Sequence, residues 1–133
     1  RPVHSVTSFV AWVHDGKDQI AKQRYYPNID KSRLLDGYIA ETSGHSRAAT
    51  VDLGVLDCRS MPCTALDMGT GFDRFDVLAH TANPDISAAQ KQNRQLLLEA
   101  MQAQGFANYP MEWWHYTFKP EPTPTTAYDF PVR

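Results

Sequence analysis

Two short segments carry the chemistry of this chain: SGHSRAATVD, with His45 and Asp52, and MEWWHY, with Glu112 and His115. Two imidazoles and a carboxylate are a suitable ligand set for one zinc ion that keeps a position open for water. Water held in that way has its pKa lowered to about 7. A second carboxylate, three residues before one of the histidines, is a natural general base. It would take the water's proton during attack and hand it to a departing amine, a device typically worth ~10²–10⁴-fold in rate. The combination points to metal-assisted hydrolysis, although spacing alone leaves Asp52 and Glu112 interchangeable between the two roles. Each residue also has a plain reading. His45 can be an ordinary loop histidine and Asp52 a solvated strand aspartate, with Glu112 and His115 merely edging the core aromatics Trp113, Trp114 and Tyr116.

These side chains need elements to position them. Thr50 to Leu56 alternates as a strand, with Val51, Leu53 and Val55 on one face and Asp52 on the other. Cys58 to Cys63 reads as a turn and Thr64 to Met68 as a return strand, ended by Gly69 and Gly71. Met111 to Phe118 reads as an aromatic-rich strand. That assignment carries a difficulty, because residues three apart on a strand face opposite ways. Glu112 and His115 converge only if the strand is bulged, irregular or ending there. The same alternation puts one of Trp113 and Trp114 in the core and lets the other line the pocket.

Elsewhere, Pro2 suits a first helical position, and Val3, Val6, Val10 and Val13, with Phe9, follow at helical spacing until Asp15-Gly16. YYPNID (Tyr25 to Asp30) reads as an extended loop, since Pro27 disfavours helix at Tyr26. Gly37 to Ala40 reads as a short strand. Ser87 and Gln90 form a capping box for a helix that runs to Gly105, with Ala89, Leu97, Ala100 and Met101 inward and Leu96 alongside. The tail KPEPTPTTAYDFPVR is too proline-rich for regular structure and is expected to wrap the surface, anchored by Tyr128 and Phe130. The pattern shows no repeats and no second domain.

With 133 residues the chain can bury a real core. A formal net charge of −2 at pH 7 gives no basic field for nucleic acid. No apolar run approaches the roughly 20 residues that span a bilayer, so no membrane insertion is expected. Cys58 and Cys63 in CRSMPC are read as a local disulfide rather than two free thiols, worth ~2 kcal/mol in the chain-entropy model. A disulfide implies an oxidising compartment such as a periplasm, with the cytoplasm as the alternative. His4, His14 and His80 have no matching partners and are read as non-ligands. The chain starts at Arg1, not Met, and a processed chain or a fragment of a longer precursor is expected, with a signal peptide if the cysteines are paired.

At these residues the sequence resembles a known family. SGHSRAATVD resembles the Ser-x-His-x-x-Gly-x-Ala-x-Asp motif of the zinc D,D-peptidases, and EWWH matches their Glu-x-x-His motif. Within that superfamily the chain is most similar to the VanX-type D-alanyl-D-alanine dipeptidases. The likeness continues through RYYPNID, GYIA, MGTGFD, QNRQLL, GFANYPMEWWHY and the terminal YDFPV. The resemblance implies His45, Asp52 and His115 as ligands of one zinc ion and Glu112 as catalytic base. It also implies a compact α+β fold whose antiparallel sheet holds the metal. Arg1-Pro2 falls on a family Arg-Pro pair whose guanidinium polarises the scissile carbonyl and stabilises the oxyanion, as a fixed cation should. Ser43 matches a serine near the substrate, and Asp73 an aspartate proposed to hold its ammonium group. Two departures stand in the first motif: Ala48 replaces glycine and Thr50 replaces alanine. Alanine costs little there unless the backbone needs a positive φ. CRSMPC is an insertion that lengthens a hairpin.

What the resemblance implies is zinc-dependent cleavage of D-Ala-D-Ala to two D-alanines, in cell-wall dipeptide salvage or glycopeptide resistance. The alternatives are a peptidoglycan D,D-carboxypeptidase or endopeptidase, and a zinc-binding fragment with impaired catalysis. Family members extend further before the arginine, so a separate N-terminal piece of the same precursor is an expected partner beside a small D,D-dipeptide substrate.

Overall fold

The computed structural model describes residues 1–131; Val132 and Arg133, the end of the YDFPV segment, lie outside the described residues. The class is α+β as read, with three α-helices and antiparallel strand pairs among the described residues. The chain gathers into two compact units. One comprises Arg1–Thr50, Asp73–Asp76 and the tail from Pro120; the other comprises Val51–Phe72 and Val77–Lys119.

In the first unit, α1 (Val3–His14) follows Pro2 and ends at Asp15. Pro2 offers no side-chain cap, and the free amides of the first turn are met from the far end of the chain. Val3 N donates to Tyr128 O at 3.2 Å and His4 N to Asp129 Oδ1 at 3.0 Å. The same carboxylate oxygen lies 2.6 Å from His4 Nδ1, and these bonds hold the Asp129 carboxyl below its ordinary range. The tail is thus anchored by backbone and by Asp129, with Tyr128 N also donating to Ser46 O at 2.8 Å. Phe130 is no anchor, for its side chain is half exposed.

α2 (Lys22–Tyr25) was not legible in the sequence; it stops at Tyr26, where Pro27 removes helical geometry. The strand expected at Gly37 to Ala40 is a turn instead. Gly37 takes a φ of 115°, and Ile39 N reaches back to Leu34 O at 2.8 Å. That turn drives Ile39 into a core of Val13, Tyr26, Leu34 and Phe75. Lys31 is buried against it, over the Trp12 ring, and its ammonium donates to Asp15 O and Asp18 O at 2.8 and 2.7 Å. A buried charge is tolerable when its donors are satisfied in this way.

In the second unit, β1 (Thr50–Asp52), β5 (His115–Phe118) and β4 (Phe106–Asn108) form a three-stranded sheet in the order β1-β5-β4. β4 and β5 are antiparallel, with Phe106, Ala107 and Asn108 opposite Phe118, Thr117 and Tyr116. The strand expected from Thr50 to Leu56 breaks at Gly54 into β1 and β2 (Leu56–Asp57). A Cβ at Gly54 would touch the rings of Phe72 and Trp113. β2 pairs with β3 (Thr64–Ala65), shorter than the expected return strand, and the hairpin between them is closed by a Cys58–Cys63 disulfide.

α3 (Ala88–Ala103) opens on the Ser87–Gln90 capping box and ends before Gly105, whose φ is +81°. Its inward stripe differs from the expected one. Ala89, Leu96 and Ala100 are exposed, while Arg94 and Leu97 are buried and Leu98 and Met101 half-buried. Arg94 displaces an apolar residue because its guanidinium reaches three carbonyls: Met68, His80 and Leu78 at 2.7, 2.7 and 2.8 Å. Burial pushes its pKa down to about 10, so it stays charged at neutral pH. The core beside it joins Met68, Ala79, Leu97, Trp113, Trp114 and Tyr116.

Candidate metal centre

His45 comes from a 3₁₀ turn, Gly44–Arg47, that leads into β1. Ser43 caps this turn by accepting from His45 N at 3.2 Å. The turn closes through Ala48, whose φ of 60° is left-handed, and alanine therefore stands where the backbone favours glycine. Gly44 is needed for a different reason, since a Cβ there would lie 2.5 Å from Thr50 Oγ1. Thr50, the other departure from the motif, fills the room that Gly44 leaves. His45 Nδ1 donates to the Thr50 carbonyl at 3.1 Å. That bond keeps the proton on Nδ1 and the lone pair on Nε2, as a ligating imidazole requires.

His115 and Glu112 come from the connection between β4 and β5. Residues 111–114 are a turn, not strand, so β5 begins only at His115. This resolves the facing problem, because the two residues are three apart in a turn closed by His115 N to Glu112 O at 3.3 Å. His115 Nδ1 lies 3.1 Å from Asp52 Oδ1 and 3.4 Å from Glu112 Oε2. Glu112 is buried, while Asp52 and His115 keep a fifth of their side chains accessible. Being in a turn, Trp113 and Trp114 do not alternate. Both are buried in the same core, packed edge to face at 5.4 Å, where strand alternation would have set them on opposite faces.

One ligand atom from each of His45, Asp52 and His115 lies within 4.8 Å of the others. Two imidazole nitrogens and a carboxylate oxygen at that spacing fit a divalent transition metal, and a His-Asp-His set of this kind can hold one. No other group of three or more such residues meets the same test among the described residues. His4 is occupied with Asp129 instead.

The remaining sequence-derived residues lie in the first unit. Arg1 pairs with Asp73, NH2 to Oδ1 at 3.1 Å, and both are about 40% exposed. Asp73 takes a φ of 57°. The Arg1 carbonyl accepts from the hydroxyl of buried Ser46 at 2.7 Å. Ser43 lines a cavity of about 280 Å³ with Val3, Val6, Glu41, Ser46 and Thr125.

Sequence reasoning passed over Asn108 and Tyr109. The Tyr109 ring meets His115 edge-on at 5.8 Å, and burial, with the charge of Glu112 adding, pushes its phenol pKa up. Asn108 donates to the carbonyls of both Glu112 and His115. The available signal was an asparagine at the end of a strand, directly before the turn that holds Glu112.

The profile of a family described as D-ala-D-ala dipeptidase matches residues 1–133. A D-alanyl-D-alanine dipeptidase of Streptomyces coelicolor is 44% identical over 133 residues, covering 99% of this chain and 65% of the relative. Proteins of the same description from Enterococcus faecium and Enterococcus faecalis are each 38% identical, covering 100% and 99% of this chain and 65% of each relative. The chain therefore spans just under two thirds of the length of the curated relatives it matches.

Proposed function

The chain belongs to the D-ala-D-ala dipeptidase family of metallopeptidases, and from that premise we propose that it performs zinc-dependent hydrolysis of D-alanyl-D-alanine to two D-alanines. The observation that carries this reading is the gathering of one ligand atom each from His45, Asp52 and His115, with the Glu112 carboxylate 3.4 Å from His115 Nδ1. Zinc held by those three residues would polarise the scissile carbonyl and acidify water.

The rest is the work of side chains. Glu112, buried and shielded from bulk water, takes the proton from the attacking water and returns it to the leaving amine. Arg1 meets the charge that develops on the carbonyl oxygen. Asp73 takes the substrate's ammonium group, and Ser43 contacts the substrate. The Arg1–Asp73 pair is open to solvent and worth at most ~1 kcal/mol, so a dipeptide carrying both charges can separate it at little cost.

The Cys58–Cys63 disulfide supports an oxidising compartment, a periplasm rather than cytoplasm, and with it dipeptide salvage rather than depletion of a cytoplasmic precursor. Failure of both cysteines to react with a thiol reagent in protein drawn from its own compartment without reductant is the expected result; ready labelling would remove the argument. The test of activity is D-alanine release from D-Ala-D-Ala by the full-length protein, with chelator and with zinc restored. Release that chelator abolishes and zinc restores is expected. Zinc binding without release, or cleavage only of longer peptidoglycan stems, would overturn the dipeptidase reading.

A further inference from the structure

One side chain binds both Glu112 and His115 through their carbonyls. Asn108, the last residue of β4, donates from Nδ2 to Glu112 O at 3.0 Å and to His115 O at 3.1 Å. Its Oδ1 accepts from Thr81 Oγ1 at 2.6 Å. A primary amide has two donor protons and one oxygen, and here all three are committed. Thr81 is itself fixed, its N donating to Pro110 O at 2.9 Å. Backbone bonds close the same turn around the amide: Tyr109 N to His115 O at 2.9 Å and Glu112 N to Tyr109 O at 3.0 Å.

We propose that Asn108, oriented by Thr81, is the positioning residue that sets the Glu112 carboxylate and the His115 imidazole at their working separation. The inference rests on the reading of Glu112 as base and His115 as metal ligand. It goes beyond that reading, because Asn108 acts through the turn and is neither base nor ligand. The chemistry is specific to asparagine. Aspartate lacks the two N–H donors and would set a carboxylate against two carbonyls. Alanine leaves the two carbonyls without the amide, and the turn with its backbone bonds and the Trp113 Nε1 bond to Thr70 Oγ1. The effect passes through backbone to two reacting groups, so loosening should appear in metal affinity and in the chemical step together. Partners that orient ligating groups typically change metal affinity or activity by ~10–100-fold when removed.

The experiment compares Asn108→Ala, Asn108→Asp, Thr81→Val and Thr81→Ser in the full-length protein. Zinc affinity is read by competition with a chromophoric chelator, kcat and KM on D-Ala-D-Ala, and folding by circular dichroism. Expected are zinc binding weakened ~10–100-fold and a lower kcat at nearly constant KM in both Asn108 variants. Thr81→Val should give a smaller change of the same kind, and Thr81→Ser, which keeps the hydroxyl, should behave as the parent. If the Asn108 variants do not fold, the two Thr81 variants decide. Folded variants with unchanged zinc affinity and kcat would overturn the inference. A parent protein that binds zinc but does not cleave the dipeptide would sink the functional reading instead, and zinc affinity alone would then judge Asn108.

Discussion

His115 presents Nδ1 to Asp52, 3.1 Å from Oδ1, and the same nitrogen is the one nearest Glu112. One ring atom thus faces at once the carboxylate proposed as ligand and the one proposed as base. The two carboxylates are told apart by burial: Glu112 is nearly closed off, whereas Asp52 retains access. Replacing the base without touching the ligands should therefore separate binding from chemistry. Glu112→Gln should hold zinc at the parent stoichiometry and lose ~10²–10⁴-fold in kcat. His115→Ala should lose bound metal. Metal analysis and turnover on the same preparations check both, and a parental kcat in the Glu112→Gln variant would show the base to be elsewhere.

Ala48 holds a φ of 60° next to the turn that carries His45. A left-handed backbone costs an L-residue roughly 1–2 kcal/mol, a cost glycine escapes, though glycine gives back part through its freer unfolded chain. Ala48→Gly should raise stability by about 0.5–1 kcal/mol in urea unfolding, with zinc affinity unchanged or improved. A lowered midpoint would mean that the alanine methyl makes contacts worth more than the strain.

Gly44 and Thr50 form a coupled pair, for a Cβ at residue 44 would come within 2.5 Å of the threonine hydroxyl. Gly44→Ala alone should destabilise by about 1–3 kcal/mol through overpacking and weaken zinc by displacing His45. Adding Thr50→Ala frees the space and should recover part of both losses. The double-mutant cycle should show a coupling of about 0.5 kcal/mol or more. Strict additivity would mean that Thr50 moves aside without consequence.

Much of this site was legible because it is written in local pattern. Residue types able to bind a metal stand at 45, 52 and 115 whatever the fold, and the Ser87–Gln90 box with Gly105 marks both ends of α3 by capping chemistry alone. What escaped the sequence is what depends on distant partners. α1 takes its cap from Asp129, 125 residues away, so its own N-terminus shows none. The burial of Arg94 cannot be read from its segment, because only tertiary structure brings three carbonyls to it. The turn at 111–114 reads as strand because aromatic residues favour strands on average, and here two tryptophans are wanted for one core. The cost of Ala48 can be posed from sequence as a question about φ, and only the backbone answers it.

Arg94 tests the weight of a charge used as a structural clasp. Each hydrogen bond from a charged donor is worth about 1.5–3 kcal/mol. Arg94→Met fits the volume and loses all three, and should destabilise by about 3 kcal/mol or more. Arg94→Lys should rescue little, because one ammonium cannot reproduce a planar fork reaching the carbonyls of Met68, Leu78 and His80. Thermal unfolding of both variants is the measurement. Parental stability in the Arg94→Met variant would show that the three carbonyls are satisfied as well without the guanidinium.

Tyr116 carries the opposite expectation. It lies on β5 beside His115, fully buried, and its hydroxyl finds no hydrogen-bond partner among the described residues. Burial pushes its pKa up to about 12. The sign of the linkage follows from that direction. Between about pH 10, where an unfolded tyrosine ionises, and about pH 12, the native state keeps a proton that the unfolded state has lost. The unfolded state binds fewer protons, so stability is full below about pH 10 and falls as pH rises through that window. Tyr116→Phe should therefore be neutral or stabilising by about 1 kcal/mol at pH 7, since it removes an unsatisfied buried hydroxyl. Its advantage should grow in alkali, seen as a later unfolding midpoint and the loss of one late phenolate from the absorbance titration. Destabilisation at neutral pH would mean that the hydroxyl has a partner worth keeping, and an unchanged alkaline midpoint would mean that Tyr116 does not trigger unfolding.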